Sequence, residues 1–255
     1  MELQLTQSLI IAFVVGGASG AIGAFVVLRR MALVGDALSH VALPGIALAL
    51  AYGVDPFWGV VVSLMLAAWV VFELEERTAL PSEALVGILF TASLAIGILA
   101  IPDTEILEAL FGEFPLLPPY FLFLIAGAAL GIAVLTFLLA KKFAFRIVSP
   151  ELAEAGKIPS RYNLLFLILF SVAVALGIKL VGTLLMGALT IIPASIARNV
   201  TKSMRAYLCL SAFLGVLISV SGVLVAYFFH VLPGPSIILF GIVMFVLSLF
   251  VKTAR

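Results

Sequence analysis

Nine runs of apolar residues follow one another along this 255-residue chain. A helix needs about 20 apolar residues to cross the hydrocarbon core of a bilayer, and most of the runs approach that length. Charged residues make up only 11% of the chain, against about 25% in ordinary soluble domains, so the apolar side chains must face lipid. The runs lie near residues 7–28, 37–54, 57–73, 84–101, 117–140, 163–178, 180–197, 206–230 and 235–251.

The runs predict an all-α fold: a polytopic transmembrane helical bundle of eight or nine spans that forms one domain over residues 1–255. They lack the period-two alternation of transmembrane β-strands, which argues against a barrel. The count is open at the junction of 163–178 and 180–197, where Gly177, Lys179 and Gly182 separate two short runs. These runs are either two spans or one span with a broken segment.

Lysine and arginine predict the orientation, because they concentrate in cytoplasmic loops. If residues 141–162 are cytoplasmic and the spans alternate, Lys179 is the only one of the 14 basic residues that falls outside. With nine spans, the N-terminus is then outside and the C-terminus cytoplasmic. The outer face collects five acids, which either attract cations or are merely tolerated there. They are Asp55, Asp103, Glu105, Glu108 and Glu113.

Two ionisable residues, Asp36 and His40, lie at the start of an apolar run. Four residues apart on a helix, they share one face, one turn apart. Ionisable groups within a span are costly and usually face a cavity or the bundle interior. One interpretation makes them metal ligands; the other makes Asp36 a helix N-cap bonded to a neutral imidazole. Two ligands do not complete a metal shell, but two copies of the helix on a dimer axis would supply four.

The other histidine, His230, precedes a Pro-Gly-Pro turn at the predicted outer end of a span. A single histidine at an interface is more often structural than a ligand. Because histidine is the commonest metal ligand, His230 remains a secondary candidate for the metal site.

A short helix is predicted between the spans that end near Ala140 and begin near Asn163. Ser149 can cap it and proline suits its first position, while Gly156 can end it in the left-handed conformation. Two turns are not stable alone in water, so it should pack on its own bundle, on lipid, or in a groove of a separate ATPase as a coupling helix. Its residues are Ser149, Pro150, Glu151, Leu152, Ala153, Glu154, Ala155 and Gly156.

Several functions are excluded. The sequence has no G-x-x-x-x-G-K-[ST] phosphate loop, so the chain is not expected to be an enzyme, and any ATP hydrolysis must occur on a partner. A single cysteine, Cys209, excludes an internal disulfide framework and a cysteine-rich zinc site. No basic stripe with interleaved aromatic residues indicates nucleic-acid binding.

Four segments, in order, resemble the permease subunits of zinc, manganese and iron ABC importers, the ABC-3 family. The first joins Phe25–Met31 to Gly35–His40, and the second is Ser149–Ala153. The third runs from Val181–Leu185 through Ile192–Arg198, and the fourth is Leu232–Leu239. Together they extend over nearly the whole chain and are far more specific than any one motif.

The resemblance implies a type II ABC importer-like permease in a prokaryotic cell membrane. It implies a second permease copy as a homodimer, a cytoplasmic ABC ATPase dimer and an extracytoplasmic metal-binding protein. The cargo would be a divalent metal (zinc, manganese or iron), with no permanently bound cofactor, and Asp36 and His40 would belong to the transport pathway. The family often has an acid where His230 stands, so the role of that position does not carry over.

Three other functions remain open at this point. A permease for a metal chelate or cobalamin-like cofactor would not need Asp36 and His40. An ATP-independent metal carrier would not need the short helix at 149–156. A structural or receptor membrane protein would move no metal.

Overall fold

The computed structural model describes residues 2–78, 80–100, 117–183 and 186–250, and within these ranges the chain forms twelve helices and no strand. The predicted all-α fold is therefore confirmed for the described part of the chain. The helices are α1 (Glu2–Leu28), α2 (Ala32–Val41), α3 (Leu43–Ala51), α4 (Pro56–Arg77), α5 (Ser82–Ala100), α6 (Pro119–Leu138), α7 (Ala140–Val148), α8 (Pro150–Ala155), α9 (Arg161–Val181), α10 (Met186–Val200), α11 (Met204–Phe229) and α12 (Pro233–Phe250).

Seven helical segments within the described ranges are long and apolar enough to cross a membrane, and α2 and α3 together make up one of them. Neither α5 nor the 15-residue α10 is among the seven. Composition and length therefore establish a multi-pass helical bundle, but they do not confirm the predicted count of eight or nine spans.

The centre of the bundle is the pair α1 and α11, which approach closely through small residues. A side chain at Gly16 or Gly20 would overlap the backbone of α11. Serines of α11 donate hydrogen bonds to α1: Ser219 Oγ to Ala12 O at 2.7 Å and Ser211 Oγ to Gly20 O at 2.5 Å. Small residues and interhelical hydrogen bonds hold membrane helices together because lipid offers little hydrophobic drive for association.

The second span differs from the predicted run 37–54, since helix begins at Ala32 and is divided at Ala42. Pro44, in the first turn of α3, has no N–H to continue the α2 ladder. The run of apolar residues did not show the true start of this helix, because Gly35, Asp36 and Ser39, which are not apolar, lie within α2.

The uncertain junction between the sixth and seventh runs consists of two separate helices. The first, α9, continues through Gly177 and ends at Gly182, whose φ of 81° is open to glycine but rare for other residues. The predicted interruption is therefore present, as a break between two helices after Val181. The second helix, α10, contains Pro193 and is buried along most of its length.

An ion pair joins three helix ends on the predicted cytoplasmic side. Arg29, directly after α1, contacts Glu75 Oε1 of α4 at 2.6 Å. Ser82, the first residue of α5, donates to the same carboxylate at 2.6 Å and accepts from Arg29 at 3.0 Å. The guanidinium carbon also lies 5.6 Å from the ring centre of Phe166 in α9. These contacts fix the ends of four helices relative to one another on this side of the bundle.

The predicted short helix is present as α8, with Pro150 at its first position and Glu151 in its first turn. Two details of the prediction are wrong. Ser149 occupies the N-cap position but makes no capping side-chain hydrogen bond, and Gly156 is not left-handed (φ −78°). The left-handed residue is Lys157 (φ 54°), and Ile158 N donates to Ala153 O at 2.8 Å in a Schellman arrangement.

Of the acids expected on the outer face, Asp103, Glu105, Glu108 and Glu113 lie outside the described residues. Asp55 has a local structural role, because its carboxylate accepts a hydrogen bond from Phe57 N at 2.8 Å and caps α4. The cap gives Asp55 a structural role, and the cation-attracting outer face stays a prediction.

Candidate metal-transport site

Asp36 and His40 both lie on α2, one turn apart, as the sequence predicts. Because α2 begins at Ala32 and its N-cap is Met31, Asp36 lies inside the helix. The alternative interpretation of Asp36 as an N-cap is therefore wrong. Both residues belong to the apolar segment Ala32–Ala51, which is long enough to cross a membrane.

Two close contacts hold the back of α2 against α10. A methyl group at Gly187 would lie 2.7 Å from the Asp36 nitrogen and 2.9 Å from its Cβ. A methyl group at Gly35 would lie 3.3 Å from the Gly187 Cα. Ser39 Oγ donates to Asp36 O at 2.7 Å and to Thr183 O, in the turn before α10. The backbone at Asp36 is thus fixed by glycine packing, not by its own side chain.

The opposite face of α2 is only partly covered within the described part of the chain, by α5 beside His40. Leu33 is 71% exposed, Asp36 is exposed, and His40 is half-buried. The imidazole lies 5.4 Å, centre to centre, from the Phe90 ring of α5. Its Nδ1 is buried and has no hydrogen-bond partner among the described residues. No hydrogen bond or ion pair connects Asp36 to His40, so each side chain keeps an oxygen or nitrogen atom that can bind a metal.

Asp36 is the fifth residue of the 20-residue apolar segment Ala32–Ala51. Ionisable residues within a membrane segment are costly and usually face a cavity or another protein surface. The described residues contain no group of three or more histidine, cysteine, aspartate or glutamate side chains that could hold a metal ion. The arrangement offers one carboxylate and one imidazole to whatever covers this face.

His230 does not join this pair in the described structure. It follows α11 in the left-handed conformation (φ 55°), and Val231 N donates to Ala226 O at 3.1 Å. Its exposed side chain borders a cavity of about 690 Å³ with Gln4 and Tyr227. The position therefore ends a helix, a role that the proline-rich turn after it could have indicated.

The short helix α8 has one buried and one exposed side. Ala153 is fully buried, whereas Leu152 is 61% exposed between the exposed carboxylates Glu151 and Glu154. A polar cavity of about 420 Å³ lies beside the helix, and Glu154 lines it together with Glu76 at the end of α4. The exposed side is available to a partner, and the cavity lies between α8 and the end of α4.

Sequence reasoning missed the residues that position the pair. Gly35 and Ser39 stand within the motif that carries Asp36 and His40, but their contacts to Gly187 and Thr183 depend on long-range packing. Phe90 gave no signal, because it is one of 20 phenylalanines in an apolar chain.

Comparisons with known proteins agree on one family. The model of the ABC 3 transport family matches residues 2–252. The chain is 32% identical to the manganese import system permease protein ScaB of Streptococcus gordonii, over 97% of this chain and 91% of that protein. It is 30% identical to the high-affinity zinc uptake system membrane protein ZnuB of Haemophilus influenzae, over 96% and 97%.

The fold of a solved relative is also similar. The structure of PsaBC from Streptococcus pneumoniae in complex with a Fab superposes with a TM-score of 0.83 and 33% identity, over 96% of this chain and 91% of that one. The family resemblance read from the four sequence segments is thereby confirmed, and the chain belongs to the ABC 3 transport family.

Proposed function

We propose that this chain is the membrane-spanning subunit of an ABC importer that carries a divalent transition metal, manganese or zinc, into the cell. The observation that carries the proposal is the partly covered α2 face, where Asp36 and His40 present free ligand atoms within an apolar span. Dehydration of a divalent ion must be offset by ligands in the membrane, and a carboxylate with an imidazole suits both metals. Membership of a family with manganese and zinc permeases supports this cargo.

The metal shell is completed by a second copy of the chain. Two α2 helices related by a twofold axis supply two carboxylates and two imidazoles, and the same contact removes Asp36 from lipid. An isologous interface of this kind is the commonest way in which identical subunits assemble. The geometry of the ligands around the ion then differs between the outward and inward states, which moves the ion by alternating access.

Motion reaches the site through α8, α4 and α3. A cytoplasmic ATPase binds the exposed side of α8 around Leu152. The helix α8 packs on α7, α7 packs on α9, and α9 packs on α4. In the membrane, α4 packs on α3 through Gly59 and Gly45, where any side chain would overlap the facing backbone. Because α3 continues α2, displacement of α4 changes the position of Asp36 and His40.

The helix order supports nine crossings. α5 and the short α10 complete an alternating path in which the ends with Arg29, Arg77, Arg198 and Arg205 all lie on one side. By the positive-inside rule that side is the cytoplasm, and the outer face receives the metal from an extracytoplasmic binding protein. The rival cargo, a metal chelate, would leave the two ligands without a role.

Radiometal uptake tests the site. In vesicles that contain the ATPase and receive a metal-loaded binding protein, Asp36→Asn and His40→Gln should each reduce uptake at least about tenfold, since loss of even an outer-shell partner costs a metal site that much. Two matched variants, Glu83→Gln and His230→Gln, make the same chemical changes at exposed positions outside the α2 face and should leave uptake near the wild-type rate. Wild-type uptake by both site variants would exclude Asp36 and His40 as ligands.

Leu152→Glu tests coupling in the same vesicles. A charge on the exposed apolar centre of α8 should weaken ATPase binding and lower ATP-dependent uptake. The control Leu80→Glu makes the same change at an exposed leucine of the neighbouring cytoplasmic connection and should leave uptake unchanged. If Leu152→Glu leaves uptake at the wild-type rate, α8 is not the docking element.

A further inference from the structure

A groove of about 920 Å³ opens between the amphipathic helix α7 and the start of α11. One face of α7 forms one wall with Lys141, Phe145 and Val148, spaced at i, i+4 and i+7. Arg205, Leu208 and Cys209 of α11 form the other wall. The volume lies within the range of small-molecule binding sites.

The groove is apolar in its interior and basic at its edge. Its floor consists of Leu28 at the end of α1 and Phe137 at the end of α6, so the interior lies beside the membrane-spanning helices. Lys141 and Arg205 are exposed at the two walls. This combination suits a ligand with a long apolar part and an anionic end.

The two cations have no partner within the described residues, unlike other basic groups nearby. Lys142 donates to Tyr162 OH at 2.6 Å and lies 4.6 Å from the centre of that ring. Arg29 is paired with Glu75. Lys141 and Arg205, in contrast, form no ion pair or hydrogen bond in the described part of the chain, so their charges are available to an external anion.

We propose that this groove is a binding site for one anionic phospholipid of the membrane surface on which α7 lies. The acyl chains occupy the apolar floor, and the headgroup phosphate lies between Lys141 and Arg205. Basic residues near an anionic lipid surface attract its headgroups, and an amphipathic helix in the interface is a common lipid contact. Only the choice of leaflet rests on the cytoplasmic orientation proposed above; the groove does not depend on the transported metal.

Lipid chemistry explains the site better than a docked soluble protein does. The ATPase is already placed on the exposed side of α8 around Leu152, whereas this groove is lined by the exposed apolar side chains of Phe137, Leu138 and Val148. The groove also separates α7 from α11, so a bound lipid would fill the space between these two helices.

Cys209 provides the probe, because it is the only cysteine of the chain and its exposed thiol lines the groove. The complex with its ATPase is placed in phosphatidylcholine nanodiscs with increasing fractions of phosphatidylglycerol, and the rate of Cys209 modification by a water-soluble maleimide is followed by mass spectrometry. Phosphatidylglycerol should slow the modification of Cys209 severalfold. The double variant Lys141→Gln with Arg205→Gln should need at least about tenfold more phosphatidylglycerol to reach the same protection.

The matched control removes the same charges elsewhere. Arg161→Gln with Lys202→Gln deletes one arginine and one lysine that are exposed and do not line the groove, and should retain wild-type protection. Equal protection in both double variants, protection by the ATPase without phosphatidylglycerol, or full protection by glycerol phosphate in its absence would each overturn the proposal. Metal uptake is measured in parallel, and because labelling needs no transport, a failure of the proposed function leaves this test intact.

Discussion

Gly187 determines how closely α10 approaches the turn of α2 that carries Asp36. A methyl group there would lie 2.7 Å from the Asp36 nitrogen, so Gly187→Ala must displace α2. Overpacking of this kind costs about 1–3 kcal/mol, and we expect a lower thermal unfolding midpoint in detergent together with reduced metal uptake. Gly127→Ala in α6 meets nothing within 4 Å and should leave both quantities unchanged. A Gly187→Ala protein with wild-type uptake would show that α2 tolerates displacement.

His230 allows a test that separates a helix terminator from a metal ligand. Its left-handed backbone (φ 55°) costs a non-glycine residue about 1 kcal/mol, and glycine is the preferred residue at this helix position. We expect His230→Gly to raise thermal stability slightly with unchanged uptake, whereas the β-branched His230→Val should lower stability. A specific loss of metal uptake in a stable His230→Gly protein would instead support a role as a ligand.

At the scale of elements, the pair Arg29–Glu75 holds together the ends of α1, α4 and α5 on the predicted cytoplasmic side. The two side chains are only 13% and 24% exposed, and removal of one partner from a buried pair costs about 3–5 kcal/mol. We expect Glu75→Gln to lower thermal stability by a substantial part of that amount. The control is Glu73→Gln, which breaks the exposed pair with Arg77 and should cost no more than about 0.5 kcal/mol. Equal effects of the two variants would argue that Arg29 has no structural role.

The elements that could be predicted are those that depend on local sequence. Apolar run length predicted most membrane helices, and the Ser-Pro-Glu pattern predicted α8. The start of α2 was missed because glycine packing against α10 lets polar residues continue the helix. The separate helix α7 was also missed, although Lys141, Lys142 and Arg146 alternate there with Phe143 and Ile147 in an amphipathic pattern.

In the candidate site, too, local sequence predicts one part and long-range packing determines the other. Sequence placed Asp36 and His40 on one helix face, but which face packs on α10 and which remains partly exposed depends on contacts more than 140 residues apart, such as Ser39 to Thr183. A sequence pattern can therefore nominate ligands. It does not by itself tell whether they point toward their own bundle, toward lipid or toward another subunit.

At the scale of the whole molecule, the partly covered α2 face predicts where two copies meet. Leu33 lies one turn before Asp36 on that face, and packed helices have axes about 8–10 Å apart, close enough for a short cross-linker. In a Cys209→Ala background, Leu33→Cys should give an intersubunit cross-link in the assembled transporter. The matched variant Phe123→Cys places a thiol on the equally exposed α6 and should give none. Efficient cross-linking through Phe123→Cys but not through Leu33→Cys would show that the copies meet at α6 and not at α2. The two Asp36 carboxylates would then be too far apart to share one metal ion.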